Sequence, residues 1–119
     1  MSVPKIFESE YRFCLILWEN EPMLAKDLAV LCKERLDWSR TTTYTVIRRL
    51  GERGVLVNEN SLVRSIVTKE EVQLADLDEV FEKRFEKSLP AFIAAFAKHQ
   101  KLSDSDIEEI QRIIERGDE

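Results

Sequence analysis

The sequence predicts a mainly α protein with a small β-hairpin, in the order three helices, hairpin, three helices. Three observations carry that prediction. Apolar residues recur at spacings of three and four along most of the chain, the mark of helices with one buried stripe. Between Gly54 and Thr68 the pattern switches to two β-rich runs around a polar tetrad, which reads as a hairpin. Capping residues and prolines stand at the joints, with no internal repeat or low-complexity stretch.

The first helix is expected from Ser9 to Asn20, with Tyr11, Cys14, Leu15 and Trp18 as its stripe and Asn20-Glu21-Pro22 as its end. The second runs from Ala25 to Leu36, with Leu28, Leu31, Cys32 and Leu36 on one side. Leu24 stands at its cap position and has no side-chain oxygen to offer a backbone N–H, so packing must hold the first turn. Asp37-Trp38-Ser39 interrupts, and Ser39 suits the cap of a third helix that reaches about Arg53 before Gly54 stops it. On that helix Thr43, Val46, Ile47 and Leu50 fall within a sector of about 100°. Thr41, Tyr44, Thr45, Arg48 and Arg49 occupy the other half.

Val55-Leu56-Val57 and the run Leu62 to Val67 are the expected strands, with Asn58-Glu59-Asn60-Ser61 as the turn. Thr68 and Glu71 form a capping box for a helix with the long aromatic stripe Leu74, Leu77, Phe81, Phe85 and Leu89. Pro90 suits the first turn of a further helix bearing Phe92, Ile93 and Phe96. Ser103 and Asp106 cap a last helix bearing Ile107, Ile110 and Ile114. This is the plan of a winged helix-turn-helix head, residues 1–68, followed by a helical dimerisation tail, residues 69–119. The third helix is the one suited to a DNA major groove.

Apolar residues make up 44% and charged residues 34% of the 119, which suffices for a core and argues against disorder. No run approaches the roughly 18–20 apolar residues of a transmembrane helix, and Met1-Ser2-Val3-Pro4-Lys5 lacks a signal-peptide pattern. A cytoplasmic location without membrane insertion is therefore expected. Cys14 and Cys32 lie in apolar helical patterns and are expected as buried free thiols. The net charge of −5 hides an asymmetry: residues 1–68 carry ten Lys and Arg against nine Asp and Glu, residues 69–119 eight against fourteen. Within Trp38 to Arg53, four arginines (Arg40, Arg48, Arg49, Arg53) meet one acid, Glu52. A nucleic-acid surface belongs on that basic patch.

Catalysis finds little support. His99 is the only histidine, no Ser/His/Asp or Cys/His grouping has motif spacing, and three glycines form no phosphate-cradling loop. The pairs Glu70-Glu71 and Glu108-Glu109 sit in helix first turns, where carboxylates favour the dipole. No enzyme activity, cofactor or metal is expected. The residues expected to meet double-stranded DNA are Ser39, Arg40, Thr41, Thr42, Tyr44, Thr45, Arg48 and Arg49 on the third helix and Arg64 on the wing. A protein-interaction module, with the third helix against a partner protein, stays open beside this. In the tail, Leu74, Leu77, Phe81, Phe85, Phe92, Phe96, Ile107, Ile110 and Ile114 are more than so short a segment easily covers alone. A homodimer interface is expected there, with closure of one subunit's own core as the other reading.

The run Asp37-Trp38-Ser39-Arg40-Thr41-Thr42-Thr43-Tyr44-Thr45-Val46-Ile47-Arg48-Arg49-Leu50, followed by Gly54-Val55-Leu56, resembles the recognition helix of the penicillinase and methicillin-resistance repressors. Leu17-Trp18-Glu19 with Pro22, and Lys101-Leu102-Ser103-Asp104, are similar to that family too, and the resemblance covers nearly the whole chain. It implies a dimeric repressor of β-lactam resistance operons on palindromic operator DNA, released when a membrane sensor protease system triggers cleavage in the dimerisation domain. The bond it implies is Ala95-Phe96, with Ala95 where the family usually has Asn. The family's copper-responsive branch carries C-terminal Cys-x-Cys motifs, and no cysteine follows Cys32. Thr41 and Tyr44 stand where the family usually has basic residues, so the base preference implied is this chain's own. The wing is shorter than the family's, lacks a glycine turn and has Arg64 as its one cation. A ligand-sensing repressor is the remaining alternative.

Overall fold

The helical periods and the β-rich runs fold in the order in which they occur. A computed structural model describes residues 3–117, and among them six helices and three strands succeed one another. They are α1 (Glu8–Asn20), β1 (Met23–Leu24), α2 (Ala25–Leu36), α3 (Arg40–Glu52), β2 (Leu56–Glu59), β3 (Leu62–Ser65), α4 (Lys69–Arg84), α5 (Leu89–His99) and α6 (Asp104–Arg116). The chain divides into two compact units, Met1–Leu77 and Asp78–Glu119.

The core of the first unit joins α1, α2, α3 and the strands: Phe13, Leu17, Leu28, Leu50, Leu56 and Val63 are all fully buried. From α3 it takes Thr43, Val46, Ile47 and Leu50, the four residues of the predicted sector. On α1 the outcome differs. The buried set is Glu10, Phe13, Cys14, Ile16 and Leu17, while Tyr11, Leu15 and Trp18 are only half-buried. Both α2 and β3 pack on α1, which turns its inner face towards Phe13 and Leu17. Tyr11 and Trp18 meet edge to face at 5.8 Å along its flank, and the Trp18 indole N–H donates to the Val67 carbonyl at 3.0 Å. Trp18 is thus tied to the exit of the hairpin, with Tyr11 packed on its ring.

The strand β1 is not predicted by the sequence, because two residues leave no period-two pattern. It pairs antiparallel with β3, Met23 opposite Val63 and Leu24 opposite Leu62, giving the sheet order β1-β3-β2. That pairing, with the Ala25 N–H donating to the Ser61 carbonyl at 2.8 Å, holds the start of α2, where Leu24 supplies no side-chain cap. The hairpin turn is tighter than the predicted tetrad: Asn58 and Glu59 belong to β2. Asn60 and Ser61, with φ of 53° and 70°, make the turn alone, and this two-residue left-handed geometry matches the twist of the strands. Gly54, at φ 82°, takes the conformation that releases the chain from α3 into β2.

The capping box of α4 forms in both directions, Thr68 N–H to Glu71 Oε1 at 3.1 Å and Glu71 N–H to Thr68 Oγ1 at 3.0 Å. The predicted stripe from Leu74 to Leu89 does not lie on one helix. The helix α4 stops at Arg84, and Glu86 and Lys87 are left-handed at φ 48° and 63°. Leu89 instead opens α5, whose cap Ser88 accepts from the Ala91 N–H at 3.2 Å. Pro90 has no N–H for the carbonyl four residues before it, so a helix cannot run unbroken through it. Across the break the rings of Phe81, Phe85 and Phe92 pack edge to face, Phe92 at 6.3 Å from Phe81 and 5.1 Å from Phe85. The last helix, α6, carries the Ser103–Asp106 capping box.

Candidate nucleic-acid interface

The outer face of α3 is built from its first turn. Asp37, left-handed at φ 57°, closes α2 by donating its N–H to the Lys33 carbonyl at 3.2 Å, and the Trp38 N–H reaches the Cys32 carbonyl at 3.3 Å. The Trp38 ring then stacks on Phe13, 6.3 Å away and 3° from parallel, which fixes the turn between α2 and α3 to the core. Ser39 caps α3: its Oγ accepts from the Thr42 N–H at 3.1 Å and lies 2.9 Å from Thr42 Oγ1. The positive end of the α3 dipole is therefore at the surface beside Arg40, where it favours an anion such as phosphate.

Outward from the buried stripe stand Arg40, Thr41, Thr42, Tyr44, Arg48 and Arg49, all exposed, with Thr45 half-buried. Arg40 reaches one turn along and donates from Nε and Nη2 to the Tyr44 hydroxyl oxygen at 3.1 and 3.0 Å. Its guanidinium lies 5.3 Å from the centre of the Tyr44 ring. Arg48 pairs with Glu52 at 3.0 Å; an exposed pair of this kind contributes at most about 1 kcal/mol and exchanges readily for a phosphate.

Arg53 does not belong to the basic patch in which the sequence groups it. Its guanidinium binds the carboxylate of the buried Glu10, its Nη1 donates to the Lys5 carbonyl at 2.8 Å, and it lies 5.3 Å from the centre of the Phe7 ring. Glu10 also accepts the Phe7 N–H at 2.9 Å. Burial alone would raise the Glu10 carboxyl pKa, but the Arg53 and Phe7 hydrogen bonds and the charges of Arg53 and Arg49 outweigh it and hold the group below its ordinary value. The same pairing raises Arg53. A cation so bound is a tie between α1 and α3.

On the wing, Arg64 is exposed and its Nη2 stands 3.5 Å from Glu59 Oε1. Beside the start of α3, Lys26, Ala29, Val30 and Lys33 of α2 line an open groove of about 510 Å³ with Glu34, Ser39 and Arg40. The sequence alone leaves Lys26 and Lys33 as ordinary solvated charges. Only the crossing of α2 and α3 sets them beside Arg40.

Of the residues expected at a dimer interface, Leu74, Leu77, Phe96, Ile107, Ile110 and Ile114 are exposed, Ile114 to 70%, while Phe81, Phe85 and Phe92 are half-buried in their ring cluster. Val80 and Ile113, outside the predicted residue set, are exposed as well. The Ala95–Phe96 bond lies inside α5. Cys14 and Cys32 are free and buried. Burial pushes the Cys14 thiol up to about 12 and raises Cys32 too, so both stay protonated and unreactive at neutral pH. Among the described residues no helix is long and apolar enough to cross a membrane.

Residues 6–116 match the model of the penicillinase repressor family. The chain is 22% identical to the methicillin resistance regulatory protein MecI of Staphylococcus aureus strain Mu50, over 94% of each chain. It is 25% identical to the penicillinase repressor of Bacillus licheniformis, over 95% of this chain and 91% of that one. The crystal structure of the transcriptional regulator SlyA aligns with 92% of this chain and 71% of its own at 18% identity and a TM-score of 0.41, too loosely to carry an argument. With the family model spanning nearly its whole length over a three-helix head and hairpin wing, the chain belongs to the penicillinase repressor family, winged-helix transcriptional repressors and not enzymes.

Proposed function

We propose that the protein binds palindromic operator DNA as a homodimer, with α3 in the major groove and the tail holding two copies together. The observation that carries this is the division of α3 into two faces. One face, Thr43, Val46, Ile47 and Leu50, is sunk in the core, and the other offers hydroxyls, a phenol and guanidiniums to solvent. Such a helix is rigidly held and presents the donors and acceptors that base edges and phosphates require. In this reading the head, 1–68, contacts DNA through Ser39, Arg40, Thr41, Thr42, Tyr44, Thr45, Arg48 and Arg49, with Arg64 at the flank.

The tail, 69–119, supplies the dimer. A second copy would cover the exposed Leu74, Leu77, Phe96, Ile107, Ile110 and Ile114 and extend the Phe81, Phe85 and Phe92 cluster. The methicillin resistance and penicillinase names of the relatives support a resistance operon as the target. Release would come from a membrane sensor protease system through cleavage at Ala95–Phe96. That bond is helical, so α5 must open locally before a protease can engage it.

The test is binding of the intact protein to a pool of random duplexes at rising salt. Retention of a sequence-selected subset, with affinity falling steeply as salt rises, is the expected result. Indifference to every duplex at low salt would overturn the reading in favour of a protein-interaction module.

A further inference from the structure

We infer that Arg40 and Tyr44 act as one recognition unit, in which the phenol positions the Arg40 guanidinium to read a guanine. The inference rests on the DNA-binding reading and adds the base class and the residue that selects it. Arg40 is the first residue of α3 and Tyr44 lies one turn on, at the end of a recognition helix that meets base edges. A lone arginine there is a flexible chain that must be ordered on binding, at a cost in rotamer freedom.

Here the ordering is already in place. Both hydrogen bonds to the Tyr44 oxygen come from one edge of the guanidinium, Nε at 3.1 Å and Nη2 at 3.0 Å. The ring lies 5.3 Å from the guanidinium carbon, so cation and phenol also attract through the ring face. The Nη1–Nη2 edge keeps its own pair of parallel N–H groups. A guanine offers two acceptors, O6 and N7, on its major-groove edge, and this is the fork geometry that arginine matches. Adenine presents a donor where guanine has O6 and is rejected. Tyr44 is then a positioning residue: it adds no charge against the backbone and acts on which base is chosen.

The experiment selects duplexes from a random pool with the wild-type protein, Arg40→Ala, Tyr44→Phe and Tyr44→Ala. It then measures each protein on the selected duplex, on copies carrying 7-deazaguanine at single positions, and on an unselected duplex at low salt. The wild type should prefer one guanine per half-site by about 5-fold to 150-fold, the range for a good bidentate contact, and lose that preference when its N7 is removed. Arg40→Ala should show no preference there. Tyr44→Phe, which keeps the ring and removes the hydroxyl, should lower the preference several-fold, losing more affinity on the selected duplex than on the unselected one. A guanine preference intact in Arg40→Ala, or undiminished in Tyr44→Phe, overturns the proposal while DNA binding stands. A wild type that binds no duplex overturns DNA binding itself, and the proposal with it.

Discussion

Glu10 is a buried carboxylate in a small core, and it stays charged because Arg53 and the Phe7 N–H surround it. Its pKa is lowered on folding, so its contribution to stability is fully present above the ordinary carboxylate range. That contribution drains away as pH falls through the range and below. Glu10→Ala should cost about 2 kcal/mol at neutral pH, since Arg53 loses its partner in a half-buried site. Urea unfolding at pH 7 and pH 4 should then show a smaller acid loss for the variant than for wild type; equal losses would remove Glu10 as a source of acid sensitivity. Thr43 offers the opposite case. It is fully buried and its Oγ1 has no hydrogen-bond partner within ordinary geometry. The Cys32 thiol is near enough for the hydroxyl to offset part of its rise, but sulfur is a weak partner. Thr43→Val keeps the shape and removes the stranded hydroxyl, so it should be neutral or stabilise by about 1 kcal/mol in the same assay; a clear loss of stability would show that the hydroxyl is satisfied.

At the scale of the element, α3 separates the parts that hold it from the parts that work outward. Its cap, its buried stripe and the Arg53 tie at its end keep it in place. Arg48 and Arg49 contribute little to that. Arg48 is in an exposed pair with Glu52, and Arg49 acts on the core through its charge near Glu10. Arg48→Ala with Arg49→Ala should therefore move the thermal midpoint by only a few degrees. Operator affinity should fall about 5-fold to 150-fold for each guanidinium lost, from roughly 1–3 kcal/mol per good contact. Fluorescence anisotropy on a selected duplex checks this, and unchanged binding by the folded double variant would remove both residues from the interface.

Across the whole molecule, apolar surface is unevenly covered. The first unit closes its core, while α5 and α6 have no buried residue. Leu77→Asp with Phe81→Asp should give monomers in sedimentation, because carboxylates without partners are costly to bury in an apolar contact. Operator binding should drop with it, since two heads on one dimer gain on the order of 100-fold to 10,000-fold from linkage alone. A chain ending at Ala95 should behave the same way while keeping its head folded, as it loses Phe96 and all of α6. Full-strength dimers and full affinity from that truncated chain would exclude cleavage at Ala95–Phe96 as the release step.

The order of the six helices and the hairpin, the caps at Ser39, Thr68 and Ser103, and the two faces of α3 are legible in the amino-acid sequence. Each of these is local: a side chain and a backbone group a few residues apart, or a period of 3.6 that any helix imposes. Residue type and spacing were also enough to bring out the family resemblance that the family model bears out. The rest depended on contacts between distant positions. Arg53 reads as one more cation of the patch until α1 brings Glu10 against it, forty-three residues away. The strand β1 exists only because β3 lies beside it, and Lys26 and Lys33 join the start of α3 only through the crossing of two helices. Charge and hydropathy are written along the chain, but which charges are neutralised and which face solvent is decided by packing.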